Sequence, residues 1–201
     1  MISINKVAVA LTVVSALAAS AAANANTVIN FYDLTAGRWG TEIQNGYSGL
    51  NWSNFYILNG NSFNSSSGYG TGTVSAPNVA FNGAGNPASF SSATAFNLAT
   101  IDVTKAWASG ITHFDGYVGN ILTYSMNVSS TTAGPTLATF NWNGLNKVTM
   151  SDGNSTHQTA IDNLTLGNVV AAVPEPETYA MLLAGLGLMG AITRRRQNKQ
   201  A

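Results

Sequence analysis

The side chains through which this chain could do chemistry are few, and their types limit it. Outside the two ends the carboxylates are Asp33, Glu42, Asp102, Asp115, Asp152 and Asp162, the histidines are His113 and His157, and there is no cysteine anywhere. A glycosidase needs two carboxylates facing across a cleft, about 5 to 9.5 Å apart. Glu42 with Asp33 or Asp115 supplies the types, but six scattered acids form such pairs on paper in any fold, and turn or cap roles suit them better. A serine-hydrolase elbow requires Gly-x-Ser-x-Gly, whereas Gly46-Tyr47-Ser48-Gly49-Leu50 lacks the final glycine. Gly68-Tyr69-Gly70-Thr71-Gly72 is no dinucleotide fingerprint, because no third glycine at the right spacing and no helix follow. His113 and His157 have no ligand-type neighbours in sequence, and zinc wants three or four ligands. Asp152-Gly153-Asn154 begins like a calcium loop, but Asn163 stands where the bidentate glutamate would fall. No catalytic residue is assigned.

Aromatics offer a different chemistry. Sugar rings present flat C–H faces that stack on exposed rings, while amides read hydroxyls. Trp39, Trp52, Trp107 and Trp142 lie in an Asn-rich segment. They either fill the core of a cysteine-free domain or touch a glycan, and Trp52 and Tyr56 are the preferred glycan contacts.

The composition narrows the class. Charged residues make up 8% of the 201, about a third of the usual ~25%, and eight basic side chains balance eight acidic ones. Nucleic-acid binding needs clustered lysine and arginine, so it is excluded. The balance itself hides an asymmetry, because the basic residues gather at the C-terminus and leave the middle mildly acidic. Disulfide scaffolds are excluded outright.

Both ends read as processing segments. Residues 1–25 carry Lys6, the apolar run Val7 to Ala19 and the small-x-small Ala23-Asn24-Ala25, the pattern of a signal peptide cleaved by signal peptidase. At the other end Pro174-Glu175-Pro176 precedes an apolar stretch from Tyr179 to Ile192, followed by Arg194, Arg195, Arg196 and Lys199. As a helix this stretch reaches about 21 Å, short of the ~30 Å hydrocarbon core, so it makes a weak anchor with a cytoplasmic basic stop. In order and terminal placement, these elements resemble the PEP-CTERM sorting signal of exopolysaccharide-producing Gram-negative bacteria. The resemblance implies Sec-dependent export, brief residence in the inner membrane and recognition at Pro174, Glu175 and Pro176 by an exosortase that removes the tail. The expected organisation is a signal peptide at 1–25, one domain at 26–172 and a sorting signal at 173–201, with an apolar transmembrane helix at 179–193 and a basic tail at 194–199.

The middle segment is rich in Thr, Asn, Gly and aromatics, which favour strands and tight turns. Strands are expected at 28–34, 73–81, 96–103, 121–128, 137–142, 147–151 and 160–166, and Asn59 to Gly72 reads as a flexible loop rather than a binding loop, given its Ser and Gly content. Phe96 and Leu98 alternate onto one face while Ile101 and Val103 fall on the other, which predicts a bulge near Thr100. Seven or more short strands without a helical period predict an all-β, antiparallel, jelly-roll-like sandwich.

Tyr47-Ser48-Gly49-Leu50-Asn51-Trp52, Gly116-Tyr117-Val118-Gly119, Phe140-Asn141-Trp142 and Ile161-Asp162-Asn163-Leu164 resemble a secreted β-sandwich module of surface proteins. The last segment is similar to the closing strand of MAM-type jelly rolls, where an aspartate helps hold a structural cation. If the first and last strands pair, Asp33 and Asp162 approach each other as hard oxygen ligands for a structural Ca²⁺; the alternative is that both accept hydrogen bonds from loop amides. The function expected from all of this is a non-enzymatic surface or biofilm-matrix protein that binds exopolysaccharide. A secreted polysaccharide hydrolase and a ligand-free structural matrix protein are the alternatives.

Overall fold

The computed structural model describes residues 26–152 and 158–167. The signal segment, the sorting tail and His157 lie outside the described residues. Among the described residues ten strands form one antiparallel hydrogen-bonded network: β1 (Thr27–Ile29), β2 (Thr41–Glu42), β3 (Asn51–Ser53), β4 (Phe55–Asn59), β5 (Asn78–Asn82), β6 (Ala88–Lys105), β7 (Gly110–Val118), β8 (Ile121–Ser130), β9 (Thr136–Ser151) and β10 (Thr159–Leu166). Their order is β2-β4-β5-β10-β6-β9-β7-β8, with β1 on β10 and β3 on β6. The chain folds as an antiparallel β-sandwich, as its alternating sequence predicts.

Two strands are far longer than expected. β6 begins at Ala88, well before the expected segment 96–103, and β9 runs straight through the expected break between 142 and 147. The first half of β6 pairs with β3 and the end of β9, while its second half pairs with β10 and the start of β9. Strands that change partners along their length in this way close a sandwich corner, and bulges make the bend possible. Register shifts separate Ser91, Phe96, Leu98 and Thr100 on β6 from their β9 partners, and the shift at Thr100 is the one that the alternation predicts. One of the two extra residues on β9 falls at Asn141 and the one on β10 at Asn163, both at positive φ, which asparagine tolerates better than other side chains. These bulges let Leu98, Ile101 and Val103 all reach the core, where each is fully buried.

The main core joins both layers. Ile29, Phe55, Ile57, Ile101 and Leu164 come from one, Trp52, Phe90, Phe114, Trp142 and Met150 from the other. A smaller cluster contains Leu58, Tyr69, Val79, Phe81, Ala106 and Ala160. Tyr69 stands on a single helical turn, Gly68–Thr71, inside the segment expected to be a flexible loop. That expectation fails because Tyr69 is a buried apolar anchor, and Gly68 packs so closely that a Cβ would fall 1.8 Å from the Lys105 carbonyl oxygen. The strand expected from 73 begins only at Asn78. Residues 73–77 instead form a loop whose Val74 and Ser75 amides donate to Asp162 Oδ2 at 2.8 and 2.7 Å.

Asp162 fastens that loop to the sheet. It has no exposed surface, and its Oδ1 accepts from the Asn163 amide at 2.8 Å. Burial pushes its carboxyl up from 3.8 to about 6, the three amides pull it down, and Asp102 adds a smaller push upward. The folded state therefore holds this proton to a higher pH than the unfolded chain does. The stabilising contribution is complete below about 3.8 and is lost as pH rises through about 6. On cooling the pH from about 7 to about 5, thermal melts of wild type should gain stability relative to Asp162→Asn, which does not titrate. Across the whole window the difference approaches about 3 kcal/mol, and parallel pH profiles would refute this account.

Candidate functional site

Trp52, one of the two expected glycan contacts, is a core residue. It is 5% exposed on β3, ringed by Phe31, Tyr47, Phe55 and Phe90 at centroid distances of 5.4 to 6.3 Å. Its indole N–H donates to the Tyr47 carbonyl at 3.0 Å, and its backbone N–H donates to Asn45 Oδ1 at 2.7 Å. A ring enclosed on all sides has no face to offer a sugar. Tyr56 is half-buried against Phe81, 6.0 Å between centroids, and lies over Gly83, where a Cβ would come within 2.5 Å of its ring.

The exposed indoles are two others. Trp107, in the turn between β6 and β7, is 50% exposed. Tyr69 meets it edge-on at 5.5 Å and Phe63 at 6.2 Å. Its indole N–H donates to Gln158 Oε1 at 3.2 Å; the same oxygen accepts the Tyr69 hydroxyl, and Gln158 Nε2 donates to the Asn82 carbonyl at 3.3 Å. Burial pushes the Tyr69 phenol well above its ordinary value, so it stays a donor. Held this way, the Trp107 ring has a fixed orientation while half its surface meets solvent. Trp39 is 78% exposed, with the Arg38 guanidinium 5.2 Å from its ring centroid. Sequence reasoning could not separate these indoles from Trp52, because all four share one composition and only packing distinguishes them.

A polar cluster on the β7–β8 hairpin also escaped the sequence reading. The register sets His113 opposite Asn127 and Asp115 opposite Ser125. His113 Nδ1 lies 2.7 Å from Asn127 Oδ1, and Nε2 lies 3.0 Å from Asp115 Oδ1 and 3.2 Å from Ser125 Oγ. The residue types suggest a nucleophile with its base. In acyl transfer, however, the acid must hold the nitrogen opposite the serine, and here Asp115 and Ser125 share one nitrogen. The alternation of His113 with Asp115 and of Ser125 with Asn127 was the available signal, useless until the two strands were set in register.

Asp33 and Asp162 serve separate contacts. β1 pairs with β10 as expected, but the ladder ends at Ile29↔Leu164 and Asp33 lies beyond it. Asp33 Oδ1 accepts from the Tyr47 hydroxyl at 2.8 Å; burial, followed by this acceptor, pushes the Tyr47 phenol well above its ordinary value. Asp162 spends its oxygens on three backbone amides, and its neighbour across the β10–β6 pair is Asp102, which accepts from Asn163 Nδ2 at 3.1 Å. Among the described residues no three His, Cys, Asp or Glu side chains cluster as a metal site would require.

The model of the PEP-CTERM protein-sorting motif matches residues 172–197. The chain carries a PEP-CTERM sorting signal. That motif implies export, processing by an exosortase and membrane-associated sorting in a Gram-negative bacterium. Among the described residues no helix is long and apolar enough to cross a membrane, and the tail lies outside them. No curated protein matches the chain. Among solved structures it is similar to the K2 cleaved adhesin domain of Lys-gingipain (Kgp), with a TM-score of 0.44 and 9% identity over 72% of this chain and 100% of that one. It is also similar to TmCBM61 in complex with beta-1,4-galactotriose, with a TM-score of 0.37 and 12% identity over 61% and 92% respectively.

The contrast between the two kinds of tryptophan is measurable. Trp52→Ala should cost about 3–5 kcal/mol in denaturant unfolding, as a large core truncation does. Trp107→Ala should cost about 1 kcal/mol, the worth of a hydrogen bond and part of an aromatic contact.

Proposed function

We propose that this protein is a non-enzymatic, glycan-binding module of the cell surface or exopolysaccharide matrix. In this reading residues 1–25 are removed by signal peptidase, residues 26–172 form the exported domain, and the tail from 173 anchors it briefly in the inner membrane. An exosortase then releases it at Pro174-Glu175-Pro176. The observation that carries glycan binding is the Trp107 indole, locked by Tyr69, Phe63 and Gln158 while half its surface faces solvent. A ring fixed before the ligand arrives loses little entropy on stacking, and that is the condition for useful affinity from one aromatic contact. Trp39 offers a second ring. The polysaccharide-hydrolase alternative is disfavoured by the scarcity of acids.

Two experiments test the two halves of this proposal. Replacing Pro174, Glu175 and Pro176 by alanines should leave the protein in the membrane fraction, and release as efficient as wild type would overturn the sorting half. On a glycan array, the exported protein should bind at least one polysaccharide, and Trp107→Ala should weaken that binding about tenfold, equivalent to roughly 1.4 kcal/mol. An array without any bound glycan, or a Trp107→Ala variant that binds as wild type does, would overturn the glycan half.

A further inference from the structure

A lysine is buried where β6 leaves the sheet. Lys105 has no exposed surface; its ammonium contacts Asp152 Oδ1, and the Asp152 side chain is 3% exposed. Nζ also donates to Thr159 Oγ1 at 3.2 Å, and that hydroxyl lies 2.8 Å from Thr112 Oγ1. Lys105 and Thr159 are direct partners across β6 and β10, while Asp152 immediately follows β9, so the contact ties three strands together at one end of the sandwich. Gly110, at the start of β7, lies beside the lysine stem, where a Cβ would stand in ordinary van der Waals contact, 3.5 Å from Lys105 Cε. Among the described residues Asp152 Oδ2 is buried without a hydrogen-bond partner, as is Ser130 Oγ, whose residue stands opposite Gly110.

A buried ion pair is a costly arrangement unless every lone pair and proton is satisfied, and here one carboxylate oxygen is not. Passing one proton across this contact leaves an amine lone pair facing a carboxylic acid, the pair that condensation requires. Two such groups held in contact, away from competing water, have the high effective concentration that makes intramolecular condensation fast. We propose that Lys105 and Asp152 join in an intramolecular amide cross-link.

The step balances without any further reactant. The Nζ lone pair attacks Asp152 Cγ, and the Cγ–Oδ2 bond breaks. The Oδ2 hydroxyl takes the proton shed by Nζ and leaves as water. Thr159, hydrogen-bonded to Nζ and backed by Thr112, holds the amine in place for the attack. Among the described residues no hydrogen bond holds Oδ2, which leaves it free to depart. The product replaces two buried charges with one neutral amide, and it gives a cysteine-free exported domain a covalent tie between the end of β6 and the end of β9.

The test is peptide mapping of the exported wild-type protein after complete denaturation and trypsin digestion. Between Arg38 and Lys147 the one other cleavage site is Lys105. An amide at Nζ removes that site, so the fragment 39–147 should survive intact, joined to the fragment that begins at Val148 and lighter than their sum by one water. Lys105→Arg keeps the positive charge but cannot condense, and since trypsin also cuts after arginine it should give fragments 39–105, 106–147 and the one beginning at Val148, all unjoined and of full mass. Unjoined wild-type fragments overturn the proposal whether or not the chain is cut after Lys105. A water lost from the Val148 fragment alone overturns it too, since cyclisation at Asp152-Gly153 gives that result without a cross-link. The wild-type map decides by itself if the variant does not fold.

Discussion

The ladder between β6 and β9 runs from Ala88↔Met150 at one end to Val103↔Thr136 at the other, and it is the one pairing that extends through both layers of the sandwich. On one side of the bend it supports β10, through which β1 and β5 attach; on the other it supports β7, through which β8 attaches. A continuous pair of this length cannot stay flat, because each strand twists and both faces must be covered. The register shifts between Ser91 and Thr100 absorb the bend. One of the two extra residues on β9 falls at Asn141, whose side chain accepts a left-handed backbone. Without the bend, Trp52 and Phe90 could not share a core with Ile101 and Leu164.

The polar groups of the interior follow from the same ladder. Where β6 ends, its neighbours β9 and β10 end or begin as well, and sheet amides give way to side chains that must satisfy one another. Asp162 meets loop amides, Asn82 Oδ1 accepts from the Thr159 amide at 2.7 Å, and Asn78 Nδ2 donates to the carbonyls of Phe31 and Leu34. Each of these asparagines closes a loop onto the sheet by replacing a missing backbone partner. The abundance of asparagine in a domain without cysteine thus has a structural use: its amides fix loops that disulfides would otherwise hold.

The exposed aromatic side chains arise at the edges of this arrangement. Trp107 stands just past the end of β6, where the smaller core of Tyr69, Phe81 and Ala106 reaches the surface, and so the ring is supported from below and open above. The sorting signal is of another kind. It is read as a linear signal by a processing enzyme, and its meaning is carried by the order of Pro-Glu-Pro, apolar stretch and arginines.

That division separates what the sequence by itself determined from what the tertiary structure decided. The sorting signal needs no partner in the chain, so it was fully legible. The β class was legible for a related reason: alternation and turn residues act over neighbours, and even the irregularity near Thr100 follows from eight consecutive residues. Anything set by register was not. Whether Trp52 or Trp107 faces solvent, whether His113 meets Asp115, Ser125 and Asn127, and whether Lys105 is buried against Asp152 all depend on which strands pair and at what offset. A shift of one residue turns every side chain to the opposite face. The offset is fixed by bulges and by the fit of the whole core, contacts between residues far apart in the chain, and no local pattern encodes them.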